Sequence, residues 1–183
     1  MKHPFLIGKR IYLRGLEEED LAGGYFQWFN DAEVCAHNGH ARFPNTRQAM
    51  QEYFRRTQGS RSEVVFAVVL KAKDEHIGNV ALQDIDWISR SAAFSILLGA
   101  QGIRGKGYGK EAGLLVRDYA FRRLNLRRLH CGTHAENRAM LSLALHLGMR
   151  EEGRRVQAFH KDGAYHDIVE FGMLAPEAAR KTR

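Results

Sequence analysis

Cysteine and proline are scarce in this chain, two and three among 183 residues. Cys35 and Cys131 are too few for a disulfide framework, and with no C-x-x-C pair no metal is expected. No apolar run approaches the roughly 20 residues that a membrane span requires. Met1-Lys2-His3-Pro4 leads straight into short alternating structure without an apolar leader, so the expected location is cytoplasmic. Repeats and low-complexity stretches are missing as well. The net charge is +7, but the basic residues are spread. Arg122-Arg123 and Arg127-Arg128 flank a helix-to-strand turn with no stacking aromatics between them, which describes a solvated face rather than a nucleic-acid track. One ordinary domain, 1–183, is expected, with 176–183 as a frayed tail.

What the chain does have is the stretch Arg104-Gly105-Lys106-Gly107-Tyr108-Gly109-Lys110, between an apolar run ending near Leu98 and an amphipathic segment starting at Tyr108. Three glycines at alternate positions let the backbone approach a ligand and aim several N–H groups at one point, and a following helix offers its positive end to an anion. Arg104, Lys106 and Lys110 add charge. An NTPase loop would need Ser or Thr directly after Gly109-Lys110, where this chain has Glu111. Gly107 to Ala112 reads as G-x-G-x-x-A, but a dinucleotide loop also expects an acid about 20 positions on, in a first βαβ unit. Here the next strand begins near Arg127 and the nearest acid beyond it is Glu136. A pyrophosphate held by the pattern Q/R-x-x-G-x-G/A remains.

Periodicity places a strand over Lys9 to Leu16 and a helix over Glu18 to Phe29. A second helix follows Pro44-Asn45-Thr46, with Thr46 as N-cap and Met50, Tyr53, Phe54 and Thr57 on one face. Val64 to Leu70, His76 to Ile88 and Ala92 to Leu98 read as an antiparallel meander. After the glycine loop come a helix, a strand over Arg128 to Thr133, and a helix over Asn137 to Leu147 stopped by Gly148. Two last strands, near Met149 to His160 and Ala164 to Leu174, are joined by Lys161-Asp162-Gly163, a hairpin turn signal.

With Arg104, Gly107 and Gly109 at the fixed positions of the acetyl-CoA loop, the chain resembles the GNAT acyltransferase superfamily. A second match is Asn137 followed by a helix and Leu147-Gly148-Met149, similar to the family's Asn-to-(Leu-Gly-Phe) segment. The resemblance runs from Arg10-Ile11-Tyr12-Leu13-Arg14 to Glu170-Phe171-Gly172-Met173. Trp28-Phe29-Asn30-Asp31, Ile77-Gly78-Asn79-Val80 and Asp162 to Asp167 are similar to the branch of ribosomal-protein, spermidine and amino-sugar N-acetyltransferases. It implies an α/β (α+β) GNAT fold: a mixed, mostly antiparallel central sheet of about seven strands, splayed in the middle, with about four helices packed on both faces.

The same resemblance implies direct attack of an amine on the acetyl-CoA thioester. Arg104, Gly105, Lys106, Gly107, Tyr108, Gly109 and Lys110 would hold the pyrophosphate, and Ile96, Leu97, Leu98 and Asn137 the pantetheine arm. A main-chain N–H near Leu97 or Leu98 would serve the carbonyl oxygen. The family's proton-handling positions are substituted: Tyr by Ala144, Ser by Met140 and the splayed-strand Glu by Ala93. Candidates elsewhere are His134 and Glu136 after the strand, Asp84 and Asp86 on one face of another, Ser142, and the pair His166-Asp167, while His37 and His40 are unassigned. His is the side chain best matched to proton transfer near neutrality, and it pairs with the expectation of catalytic roles for His134, Asp86 or Ser142. Val34 to Pro44 is expected to wall the acceptor site. The favoured reading is an N-acetyltransferase for the primary amine of a small molecule, an amino sugar or polyamine. Alternatives are N-terminal acetylation of a ribosomal protein, or CoA binding with little catalysis. The partners expected are that amine and a second copy in a homodimer, with neither nucleic acid nor membrane.

Overall fold

Val64–Leu70, Glu75–Asp86 and Ser91–Leu98 are the centre of one eight-stranded sheet in the computed structural model, which describes residues 1–176. The elements in chain order are β1 (Leu6–Ile7), β2 (Ile11–Gly15), a 3-10 turn (Glu18–Ala22), α1 (Gly24–Trp28), α2 (Arg47–Thr57), and the three central strands β3 to β5. Then follow α3 (Tyr108–Arg122), β6 (Arg128–His134), α4 (Arg138–Leu147), β7 (Arg150–Lys161) and β8 (Ala164–Leu174). The strand order is β1-β2-β3-β4-β5-β6-β8-β7, and every pair is antiparallel except β5 with β6. The GNAT arrangement expected from the resemblance is present, with one short strand more than the expected seven, since two residues are too few to show an alternation. The expected tail falls, beyond Pro176, outside the described residues.

Alternation in β3 shows how the two faces are filled. Phe66 and Val68 join Leu13, Ile77, Val80, Leu82 and Val116 in a core under α3 and α4. Ala67 and Val69 point the other way and meet Tyr12, Leu21, Tyr25, Trp28 and Met50 under α1 and α2. Each fully buried Leu, Ile or Val contributes about 1.5–3 kcal/mol. The helix expected over Glu18 to Phe29 is instead a 3-10 turn and one turn of α-helix, broken at Gly23-Gly24, where Gly23 stays extended at φ −88° and ψ −160°. Two successive glycines carry too little helix propensity to bridge the segments.

The parallel pair positions the site. β5 and β6 are hydrogen-bonded only over Ser91–Ala93 against Arg128–His130, whereas β6 keeps pairing with β8 out to His134. From Phe94 onward the two strands part, and one edge of β5 is left open. Gly99 N donates to Ile77 O at 3.1 Å. Backbone groups alternate edge along a strand, so Leu97 faces β4 while Ile96 and Leu98 turn their N–H and C=O groups into the gap.

Candidate active site

The glycine loop lies beside this gap. Gly105 and Gly107 sit at φ +75° and +82°, and Gly107 is the N-cap of α3. The left-handed region penalises any side chain, so glycine is required at both. The first N–H groups of α3, from Tyr108, have no carbonyl within the helix to meet, and Gly109 packs on the side chains of Leu98 and Ile96. Arg10 braces the loop from β2: its Nη1 donates to Lys106 O at 2.8 Å, and its guanidinium lies 4.8 Å from the Tyr108 ring centre. Glu111 is turned away from the loop. Its carboxylate accepts from Arg10 N at 2.7 Å, Arg10 Nε at 3.0 Å and Ile11 N at 3.3 Å. Burial would raise its pKa, but these donors outweigh it and hold it below the ordinary glutamate value. Its charge is thereby paired by Arg10 rather than presented to the loop. Lys106 and Lys110 are exposed and make no ion pair among the described residues, whereas Arg104 pairs with the Glu33 carboxylate.

On the far side of the gap, Asn137 caps α4. Its Oδ1 accepts from Met140 N and its Nδ2 donates to Thr133 Oγ1, both at 3.1 Å. That amide already has protein partners at both ends, a role the expectation of a pantetheine contact did not include.

A cavity of about 460 Å³ opens on the α1/α2 face, against the splayed strand. Asn79, Ala81 and Gln83 of β4 and Ser95 to Leu97 of β5 form its floor, Tyr25, Phe29, Met50 and Tyr53 its sides, and the segment Asn38 to Asn45 its rim. The acceptor wall expected over Val34 to Pro44 thus lies against the cavity from Asn38 onward. Lys161 fixes this rim from the β7–β8 hairpin, its buried ammonium donating to the carbonyls of Cys35, Asn38 and His40.

The proton-handling candidates are scattered. Asp86 ends β4, away from the cavity lining, where its carboxylate accepts from Ile88 N, Ser89 N and Ser89 Oγ of the following turn. The Ser89 bonds, more than any other influence, keep it below the ordinary aspartate value. The simple alternation expected for Asp84 and Asp86 fails because β4 bulges between Gln83 and Asp86, with Asp84 at φ +50°. Ser142 is an exposed residue of α4. His134 ends β6 rather than following it, and it is 2% exposed. Its ring stacks on His166 at 4.9 Å and meets Phe159 edge-on at 4.4 Å. Burial, then the neighbouring His166 and His37, lowers its pKa, and its Nε2 has no partner among the described residues. Glu136 Oε2 approaches His166 Nδ1 at 3.4 Å and His134 Nδ1 at 4.0 Å. The ligand atoms of His134, Glu136 and His166 thus lie within 4.8 Å of one another. Sequence reasoning missed Tyr25 and His40. His40 was visible only as a lone histidine, and Tyr25 only as one aromatic in an apolar helix.

A family profile described as "Acetyltransferase (GNAT) domain" matches residues 10–150. The chain belongs to the GNAT acetyltransferase family. It is an acetyl-CoA-dependent N-acetyltransferase. The spermidine N(1)-acetyltransferase of Vibrio cholerae is 35% identical over 107 residues, 58% of this chain and 61% of that enzyme. The Escherichia coli K12 spermidine N(1)-acetyltransferase is 29% identical over 87% of this GNAT chain and 83% of its own length. The crystal structure of the Vibrio cholerae spermidine N-acetyltransferase with CoA and spermine superposes with a TM-score of 0.82 at 27% identity, covering 90% of this chain and 95% of that one. No helix among the described residues of this acetyltransferase is long and apolar enough to cross a membrane.

Proposed function

We propose that the enzyme transfers an acetyl group from acetyl-CoA to the primary amine of a small molecule of the amino-sugar or polyamine kind, the latter named for two relatives. The observation that carries this is the coincidence of the open β5 edge with the cavity, since Ile96 and Leu97 line the cavity and lie on the splayed strand. Pyrophosphate takes the N–H groups of Gly105 to Lys110 and the charges of Lys106 and Lys110. Pantetheine takes the gap-facing groups of Ile96 and Leu98, and Leu98 N–H is the donor for the thioester oxygen as it becomes an oxyanion.

The amine arrives as an ammonium and must lose a proton before attack. Among the described residues no Asp or Glu lines the cavity, and burial raises the hydroxyl pKa of both Tyr25 and Tyr53. His40 is the remaining lining side chain that takes protons near neutrality. Burial, then the Lys161 charge, lowers its pKa and keeps the imidazole unprotonated and able to accept. The nitrogen lone pair then forms a bond to the carbonyl carbon, and as the adduct collapses the C–S bond breaks and the nitrogen gives up its second proton. With Ala144 in the family's Tyr position, water relays that proton to the CoA thiolate, while the first stays on His40 until solvent removes it. In the cell we assign the enzyme to the cytoplasm, self-associated as its dodecameric Vibrio neighbour is.

Thiol release from acetyl-CoA over a panel of amines tests the reading. Turnover dependent on a primary amine is expected, and CoA binding without turnover for any amine or peptide would overturn it.

A further inference from the structure

Two imidazoles flank one carboxylate oxygen at the end of β6. His134 Nδ1 stands 4.0 Å from Glu136 Oε2 and His166 Nδ1 stands 3.4 Å from it, both longer than the roughly 3 Å of an N–H···O hydrogen bond. The sheet itself brings them together. His134 pairs with Ile168, and Ala135 N donates to Asp167 O at 3.0 Å, which carries the register one step past β6 and sets Glu136 opposite His166. His134 and Glu136, two apart, then share a face.

His134 is 2% exposed, and its Nε2 has no hydrogen-bond partner among the described residues. With Nδ1 too far from Glu136 to bond, this buried imidazole is left unsatisfied where polar groups are normally paired. Nδ1 is the nitrogen turned outward, because Glu136 beside it is more than half exposed and His166 is partly exposed. A small cation can therefore reach it from solvent. Two imidazole nitrogens and a carboxylate oxygen are a three-ligand set for Zn2+, and imidazole favours zinc, nickel or copper over magnesium or calcium. Bonds of about 2.0–2.2 Å place tetrahedral ligand atoms about 3.4 Å apart. The three atoms already lie within 4.8 Å of one another. Closing the remainder falls to the exposed Glu136 side chain and to the His166 ring, which would turn out of its stack on His134 to aim Nδ1 at the ion. A further imidazole is at hand. The exposed His37 of the acceptor rim has its ring centre 5.7 Å from that of His134.

We propose that His134, Glu136 and His166 form a site for a zinc-class divalent cation, with His37 as the fourth ligand. The ion fastens the rim segment that carries His40 to the end of β6, beside the Lys161 anchor. The site stands independently of the acetyl-transfer reading. The test titrates the metal-stripped, full-length protein with Zn2+ and, separately, Mg2+ by calorimetry, and follows imidazole nitrogen-15 resonances, in the parent, Glu136→Gln, His166→Gln and His37→Gln. One Zn2+ per chain with micromolar or tighter Kd is expected, with no Mg2+ binding, and the Nδ1 signals of His134 and His166 should move together. Glu136→Gln and His166→Gln should each weaken Zn2+ at least tenfold and His37→Gln several-fold, with parent-like melting temperatures in the absence of metal. No Zn2+ binding, or binding that Glu136→Gln and His166→Gln leave unchanged, would overturn the site. Losses in those two with parent-like affinity in His37→Gln would uphold the three-residue site and overturn the link to the rim.

Discussion

Lys161 Nζ donates to Asn38 O at 3.0 Å, tying the β7–β8 hairpin to the rim of the acceptor cavity across 123 positions of sequence. The same ammonium serves Cys35 O and His40 O, so one side chain sets the backbone path of the segment that carries His40. Lys161→Met would keep the stem and leave these carbonyls without their donor, at about 1–3 kcal/mol for each that stays buried. The amine KM should rise several-fold while CoA affinity by calorimetry is unchanged, because the glycine loop is built elsewhere.

Gly107→Val should weaken acetyl-CoA binding. The residue sits at φ +82°, where an L side chain costs about 1–2 kcal/mol, and its Cβ would stand 3.3 Å from Arg10 Nη2. Titration calorimetry should show a loss of about tenfold or more. Parent-like affinity would remove the loop from the cofactor site.

His40→Gln should cost about a hundredfold in kcat/KM at pH 7. The His40 pKa is lowered from its ordinary value, so the parent's base is already unprotonated at neutrality and its rate should be high there. In the variant only amine that has lost its proton in solution can react, and its rate should climb toward the amine pKa near 10 by analogy with lysine, closing the difference. Parallel pH profiles would exclude the role.

Cys35→Ala and Cys131→Ala should both retain turnover. Burial, followed by the Glu170 charge, pushes the Cys131 thiol up to about 12, and burial also raises Cys35, so neither supplies thiolate at neutral pH. Intact-protein mass spectrometry during turnover should find no acetyl-enzyme. Ser142→Ala should cost less than about tenfold, or about 1.4 kcal/mol of barrier.

Asp20 and Arg14 form a buried bidentate pair, both bonds at 2.7 Å, with His76 Nδ1 at 3.2 Å from the carboxylate. Burial is the largest single influence on Asp20 and would raise its pKa, but Arg14, His76 and Glu17 N together hold it well below the usual range. A carboxylate with a depressed pKa in the fold gives stability that is fully present above its unfolded value of about 4 and is lost as pH falls below that. Asp20→Asn should therefore lower the melting temperature more at pH 7 than at pH 3. Equal losses at both would assign the pair no electrostatic part in stability.

The glycine loop and the Gly148 stop were legible because each is a local demand, a left-handed backbone that only glycine meets cheaply. The meander was legible because its two-residue alternation faces two separate cores. The bulge after Gln83 was not, since nothing in Asp84 or Asp86 announces an added residue, and it moved both acids away from where alternation put them. Nor could sequence show the Lys161 anchor, whose partners are main-chain carbonyls and so carry no side-chain signature. The site's proton chemistry was obscured for a related reason. His40 stands at the cavity rim beside Lys161, a neighbour that spacing does not reveal.

The brief pairing of β5 with β6 makes the sheet two leaves on a narrow spine. One leaf, β1 to β5, carries the acceptor floor; the other, β6, β8 and β7, carries the hairpin that pins the acceptor rim. A pantetheine chain lying along the open edge of β5 would act as a suture between them. Cofactor occupancy and the shape of the amine pocket are then mechanically linked, and the enzyme has a reason to load its donor before its acceptor.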